Sequence, residues 1–160
     1  MEKWLKGQRP QRGDIVRVKR NKGYCHFGIA CSDKEVIHFT GLSGDDITNP
    51  ENIKIRKTSL DQFERGDQIE ILDNWYSPFA SKDVLKRAEA YLESSFFRGK
   101  HYNFFTNNCE HFARYCYFGE ATSSQVENGL TAAAVLTGAV VTAAVVNVTN
   151  AIKDSKKNDK

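Results

Sequence analysis

The sequence predicts an α+β domain, an antiparallel sheet packed on helices, with a hydrophobic helix near its C-terminal end. Two periods carry that reading. Short β-branched runs punctuated by Gly, Asp and Asn fill the first half, and helical spacing takes over from Ser81. The third observation is the stretch between Glu127 and Lys153, which holds no charged residue. A chain of 160 residues suits one domain with a sizeable core rather than two.

Taken in order, residues 1–12 are polar and basic and read as a loose lead-in. Gly13-Asp14 opens a strand at Ile15 to Arg20, and Asn21-Lys22-Gly23 turns the chain. Tyr24 to Ala30 or Cys31 alternates, so Cys25, Phe27, Ile29 and Cys31 share one face while Tyr24, His26, Gly28 and Ala30 share the other. The neighbours of His26 on its face are small, which leaves room for close packing. A turn within Ser32 to Glu35 leads to Val36 to Phe39 and makes a hairpin. For His26 and His38 to lie on one face, that loop must hold an odd number of residues, because a two-residue turn would separate them.

Gly41 to Asn52 reads as a surface loop, Ile53 to Ile55 and Gln68 to Leu72 as further strands, and Asn74 to Ala80 as the close of the strand region. Ser81 is a good N-cap for an amphipathic helix with Val84, Leu85, Ala88, Tyr91 and Leu92 on its buried face, ending at Gly99. A second helix runs from Cys109 to about Phe118 and stops at Gly119. Phe112, Ala113 and Cys116 share the face of Cys109, so Cys116 reads as a core thiol. Residues 120–129 read as a linker. Residues 130–152, rich in Ala, Val and Thr, form a helix of about 30 Å if continuous, enough for a bilayer core. A helix packed on the domain or lying on the membrane is the alternative.

The composition, 40% apolar and 27% charged, is that of an ordinary globular protein. A net charge of +3 without a basic block interleaved with aromatics gives no support to nucleic-acid binding, while an anionic membrane surface suits its sign. The start Met1-Glu2-Lys3-Trp4 has no apolar signal region, so the thiols are expected reduced and the compartment cytosolic. The spacings Cys25-x5-Cys31 and Cys109-x6-Cys116 do not match structural zinc sites.

The chemistry centres on Asn107-Asn108-Cys109-Glu110-His111-Phe112. With Asn108 as cap, Cys109 sits in the first turn, where open N–H groups and the helix dipole favour a thiolate. A small buried residue at a helix start is the plainer alternative. A thiol nucleophile needs a base. His111 is poorly placed for that, since two residues along a helix turn it by about 200°. It and His101 read as surface or locally bonded imidazoles. His26 together with His38 is the stronger candidate. The aromatic run Phe96, Phe97, Tyr102, Phe104 and Phe105 lies just before Cys109 and could contact an apolar ligand or simply pack.

Gly13-Asp14-Ile15-Val16-Arg17-Val18, Tyr24-Cys25-His26-Phe27-Gly28-Ile29-Ala30, Val36-Ile37-His38, Ser81-Lys82 with Arg87-Ala88-Glu89, and Asn108-Cys109-Glu110-His111-Phe112 together resemble the lecithin:retinol acyltransferase domain. Within that superfamily the chain is most similar to the small phospholipase A/acyltransferase branch. The resemblance implies a circularly permuted papain-like, NlpC-type fold over residues 10–119, with Cys109 as nucleophile, His26 as its base and His38 orienting His26. It implies a lipid acyl hydrolase and acyltransferase acting on glycerophospholipid esters as a phospholipase A1/A2 through an acyl-thioester, with water, an amine or a lysolipid as acceptor. No cofactor or metal is called for. Residues 130–152 would anchor the chain, with the catalytic domain facing the cytoplasm. Phe27-Gly28 and Cys31 depart from the bulkier or smaller residues that relatives carry, which touches cleft shape. Two other readings stand beside this one: a membrane-tethered interaction module without turnover, and a cysteine peptidase or amidase.

Overall fold

The computed structural model describes residues 2–21, 23–41, 52–73, 77–93 and 108–119. All belong to one compact unit, Met1–Ser123, and a second unit, Ser124–Lys160, contains none of them. The expected linker, the expected helix over 130–152 and the aromatic run at 96–105 therefore lie outside the described residues. Among the described residues no helix is long and apolar enough to cross a membrane.

The fold is the expected α+β mixture. Among the described residues six strands, β1 (Trp4–Lys6), β2 (Ile15–Lys19), β3 (Cys25–Ala30), β4 (Glu35–Thr40), β5 (Lys54–Ser59) and β6 (Ile69–Leu72), form one sheet in the order β1-β6-β2-β3-β4-β5. Every pair is antiparallel. Among the described residues three helices accompany it: α1 (Leu60–Glu64), α2 (Ser81–Glu93) and α3 (Cys109–Phe118).

Strict alternation along the strands gives the sheet two apolar faces. Ile15, Phe27, Ile29, Ile37, Phe39 and Ile55 pack with Val84, Leu85 and Ala88 of α2 and with Cys109, Phe112, Ala113 and Cys116 of α3. Val16, Val18, Ala30, Val36, Ile69 and Ile71 face the other way and are covered by Phe63 of α1. Each face is closed by the helix whose apolar stripe matches it, so sheet and helices hold one another.

The β3–β4 hairpin carries the feature on which the site depends. Gly28 pairs with His38, Ile29 with Ile37 and Ala30 with Val36. The Cys31 N–H then donates to the Glu35 carbonyl at 2.8 Å, which leaves Ser32, Asp33 and Lys34 as the turn. That turn has an odd number of residues, so His26 and His38 share a face. Gly28 opposite His38 has no room for a side chain: a Cβ there would stand 2.5 Å from Val36 Cγ1 and 3.1 Å from His38 Cβ. The bare backbone lets the His38 ring lean across it towards His26.

Several elements differ from expectation. Trp4–Lys6 is an edge strand paired with β6 rather than a loose lead-in. Its anchor is tertiary: the Arg17 guanidinium lies 3.9 Å over the Trp4 ring, which meets Phe27 edge-on at 5.8 Å. The strand expected at Ile53 to Ile55 runs instead from Lys54 to Ser59, because β4 pairs with it along its whole length. Ser81 is the first residue of α2 and not its cap, the Ala80 carbonyl accepting from Asp83 and Val84. Helix α1 was not expected at all. Ser59 caps it, taking the Gln62 N–H while the Gln62 side chain returns to the Ser59 N–H.

Candidate active site

The start of α3 is built by Asn108. Its extended backbone (φ −116°) sets the side chain to accept from the N–H groups of Glu110 and His111, at 3.0 and 3.1 Å. His111 returns the favour by accepting from the Asn108 N–H through Nδ1 at 3.4 Å. This reciprocal box contributes about 1 kcal/mol to the helix. Burial pushes the His111 pKa down, so the ring stays neutral and keeps the lone pair this contact needs. At the other end Gly119 adopts φ +82° and its N–H closes on the Tyr115 carbonyl at 2.9 Å.

Cys109 is the first residue inside that cap and is buried. Its Sγ lies 4.0 Å from the carbonyl oxygen of Cys25, the residue before His26. The thiol therefore reaches the sheet at the N-terminal end of β3. None of the four cysteines forms a disulfide; burial pushes Cys116 up to about 12 and Cys31 up to about 11, and raises Cys25. Those three are held as protonated thiols, as expected for Cys116.

The structure brings His26 and His38 together. Their Nε2 and Nδ1 atoms are 2.7 Å apart, both side chains are buried, and the rings meet edge-on at 5.0 Å. The space beside His26 is filled by Phe63, whose ring centroid is 5.3 Å from His26 and 5.1 Å from His38. Burial, then the charges of Arg20 and Arg65, lower His26 to about 3, so the imidazole is neutral at pH 7. The imidazoles pack on Phe63, and Cys109, clustered with α3, reaches β3 at the carbonyl of Cys25, next in sequence to His26.

One polar residue of the site was not singled out from the sequence. Thr58 Oγ1 is 2.8 Å from His38 Nε2 and 3.3 Å from the Ser59 carbonyl oxygen. Its only signal in the sequence is a threonine in a polar run, which resembles any exposed strand. The buried Glu110, fully inaccessible at the start of α3, was likewise given no role.

The family model of lecithin retinol acyltransferase matches residues 8–122. Human phospholipase A and acyltransferase 2 is 28% identical over 153 residues, covering 88% of this chain and 90% of its own. Human phospholipase A and acyltransferase 1 is 26% identical over 141 residues, covering 82% and 81%. Rat lecithin retinol acyltransferase is 28% identical over 139 residues, covering 72% and 58%. The match spans every described strand except β1, both longer helices and the capped Cys109, and the chain belongs to the lecithin retinol acyltransferase family.

Proposed function

We propose that the chain is a thiol-dependent acyl hydrolase and acyltransferase for glycerophospholipid esters, with Cys109 as nucleophile, His26 as general base and His38 as the residue that orients His26. The observation that carries this reading is the buried 2.7 Å contact between His26 Nε2 and His38 Nδ1, one residue along β3 from the carbonyl that Cys109 Sγ touches. Since His38 occupies Nε2, Nδ1 is the nitrogen of His26 assigned to the thiol. Similarity to relatives named phospholipase A and acyltransferase supports a phospholipid as the substrate. A permuted papain-like arrangement, with strand histidines preceding a helix-start cysteine, fits the described order of elements.

In the first step the thiol proton passes to His26, Sγ bonds to the ester carbonyl carbon, and the Cys109 N–H holds the oxyanion. That N–H is not one of those the Asn108 side chain takes, which are Glu110 and His111. Collapse breaks the ester C–O bond, and the proton on His26 leaves with the lysophospholipid. Water, an amine or a lysolipid, deprotonated by His26, then attacks the thioester carbonyl; the C–S bond breaks, the acyl product leaves, and the proton on His26 returns to Sγ. With His26 neutral at rest, its ring nitrogen is available to take the thiol proton during attack.

Residues 10–119 would form the catalytic domain, and 130–152, beyond the linker at 120–129, would attach it to a membrane with the active site on the cytoplasmic side. The test is to incubate the full chain with phosphatidylcholine vesicles and to search by mass spectrometry for an acyl adduct on Cys109 and for released lysolipid. Both are expected, and both should vanish in Cys109→Ala. A parent protein indistinguishable from Cys109→Ala would leave the interaction-module reading instead, and cleavage of peptides in place of lipid would favour a peptidase.

A further inference from the structure

The hydrogen bonds around the two imidazoles continue beyond them, and their direction matters. Thr58 stands opposite Val36 in the β4–β5 ladder, two residues along the strand from the position opposite His38. His38 stands opposite Gly28 in the β3–β4 ladder, two residues from His26. Each step is a diagonal between residues on one face of the sheet, a separation that rings and long side chains can bridge. The result is one polar row across three strands, His26 Nε2 to His38 Nδ1 at 2.7 Å and His38 Nε2 to Thr58 Oγ1 at 2.8 Å.

We infer that Thr58 is a positioning residue for the reaction, whose hydroxyl accepts from His38 and so fixes the tautomers of both imidazoles with His26 Nδ1 unprotonated. This rests on the proposed pairing of His26 with Cys109. The Thr58 hydroxyl hydrogen has its own acceptor in the Ser59 carbonyl, 3.3 Å away. Its oxygen is then left to accept the His38 Nε2–H. His38 Nδ1 carries a lone pair in consequence and accepts from His26 Nε2–H. His26 Nδ1 is left without a proton, the state a general base requires.

Reversal of the Thr58 hydroxyl would reverse every link. Thr58 would donate to His38 Nε2, His38 Nδ1–H would donate to His26, and His26 would carry its proton on Nδ1. In that form it could not take one from Cys109. Phe63 packs on both rings and offers no polar atom. Arg20 and Arg65, whose charges act on His26, and the cross-strand neighbour Arg56 are cations and cannot accept from an imidazole.

The experiment compares the full chain with Thr58→Val, which keeps the shape but loses the hydroxyl, and Thr58→Ser, which keeps the hydroxyl. Long-range proton–nitrogen correlation of the imidazoles at pH 7 should show His26 and His38 protonated at Nε2 in the parent and in Thr58→Ser. In Thr58→Val the Nδ1–H forms should gain population. Alkylation of Cys109 by iodoacetamide, followed by peptide mass spectrometry, should slow by about tenfold to a hundredfold in Thr58→Val and by less than about threefold in Thr58→Ser. With phosphatidylcholine, kcat should fall by the same factor while KM holds. A parent His38 protonated at Nδ1, or a Thr58→Val protein that alkylates Cys109 at the parental rate, would overturn the assignment. A drop in thermal midpoint without any change of tautomer would also overturn it, as a purely structural role predicts. If tautomers and alkylation respond as stated while no variant cleaves lipid, the positioning role stands and the phospholipase reading fails.

Discussion

His26 sits in surroundings far from those of water. It is buried, ringed by His38 and Phe63, and held neutral by desolvation and by Arg20 and Arg65. Its folded pKa, about 3, lies below the unfolded 6.5, so between those values the unfolded chain binds the extra proton. Stability then rises with pH across that window and is lost as pH falls through it, by up to about 1.4 kcal/mol per pH unit for one proton. His111, also lowered by burial, acts in the same direction. Urea midpoints measured from pH 7 down to pH 4 should fall, and His26→Gln should flatten the slope. A second residue-scale prediction concerns the cap. Asn108→Ala removes the acceptor for two N–H groups and should cost about 1 kcal/mol in chemical unfolding. Because those donors surround Cys109, its alkylation rate should change more than that of Cys31. The cap and the thiol were both legible in the sequence, since Asn before a helical pattern carries its own mechanism. The His26 to His38 contact was legible only as a condition on the loop, and the three-residue turn met it.

At the scale of elements, α1 is the part most easily overlooked. It is a helix of 5 residues, too short for a hydrophobic period to register, yet Phe63 is fully buried against both imidazoles. The capping box Ser59-Leu60-Asp61-Gln62 was present in the sequence and would have signalled it. The small residues beside His26 were read as room for something to pack closely, and what packs there is a phenylalanine of the protein itself. Phe63→Ala should cost about 3 to 5 kcal/mol by thermal or urea unfolding. It should also wet the imidazole pair and slow the reaction of Cys109 beyond what the lost stability explains, whereas Phe63→Leu should keep most of both. β1 escaped notice for a related reason. Its three residues have no period, and they order only because β6 and the Arg17–Trp4 contact exist elsewhere in the chain.

At the scale of the whole molecule, both faces of the described sheet are closed by elements within Met1–Ser123. Removal of residues 120–160 should therefore leave the unfolding transition and the alkylation of Cys109 close to those of the full chain. If 130–152 attaches the protein to lipid, flotation with anionic vesicles should be lost on the same deletion, and equal flotation of both forms would refute the anchor. By itself the sequence determined the kind of fold, most of the strands, the capped Cys109 and the two histidines, because periods of two and 3.6 residues, turn residues and caps act over a few neighbours. Only the tertiary structure decided which atoms meet. The His26–His38–Thr58 row, the cover of Phe63 and the edge strand at Trp4 each join residues far apart in the chain, through strand register and packing that no local pattern encodes.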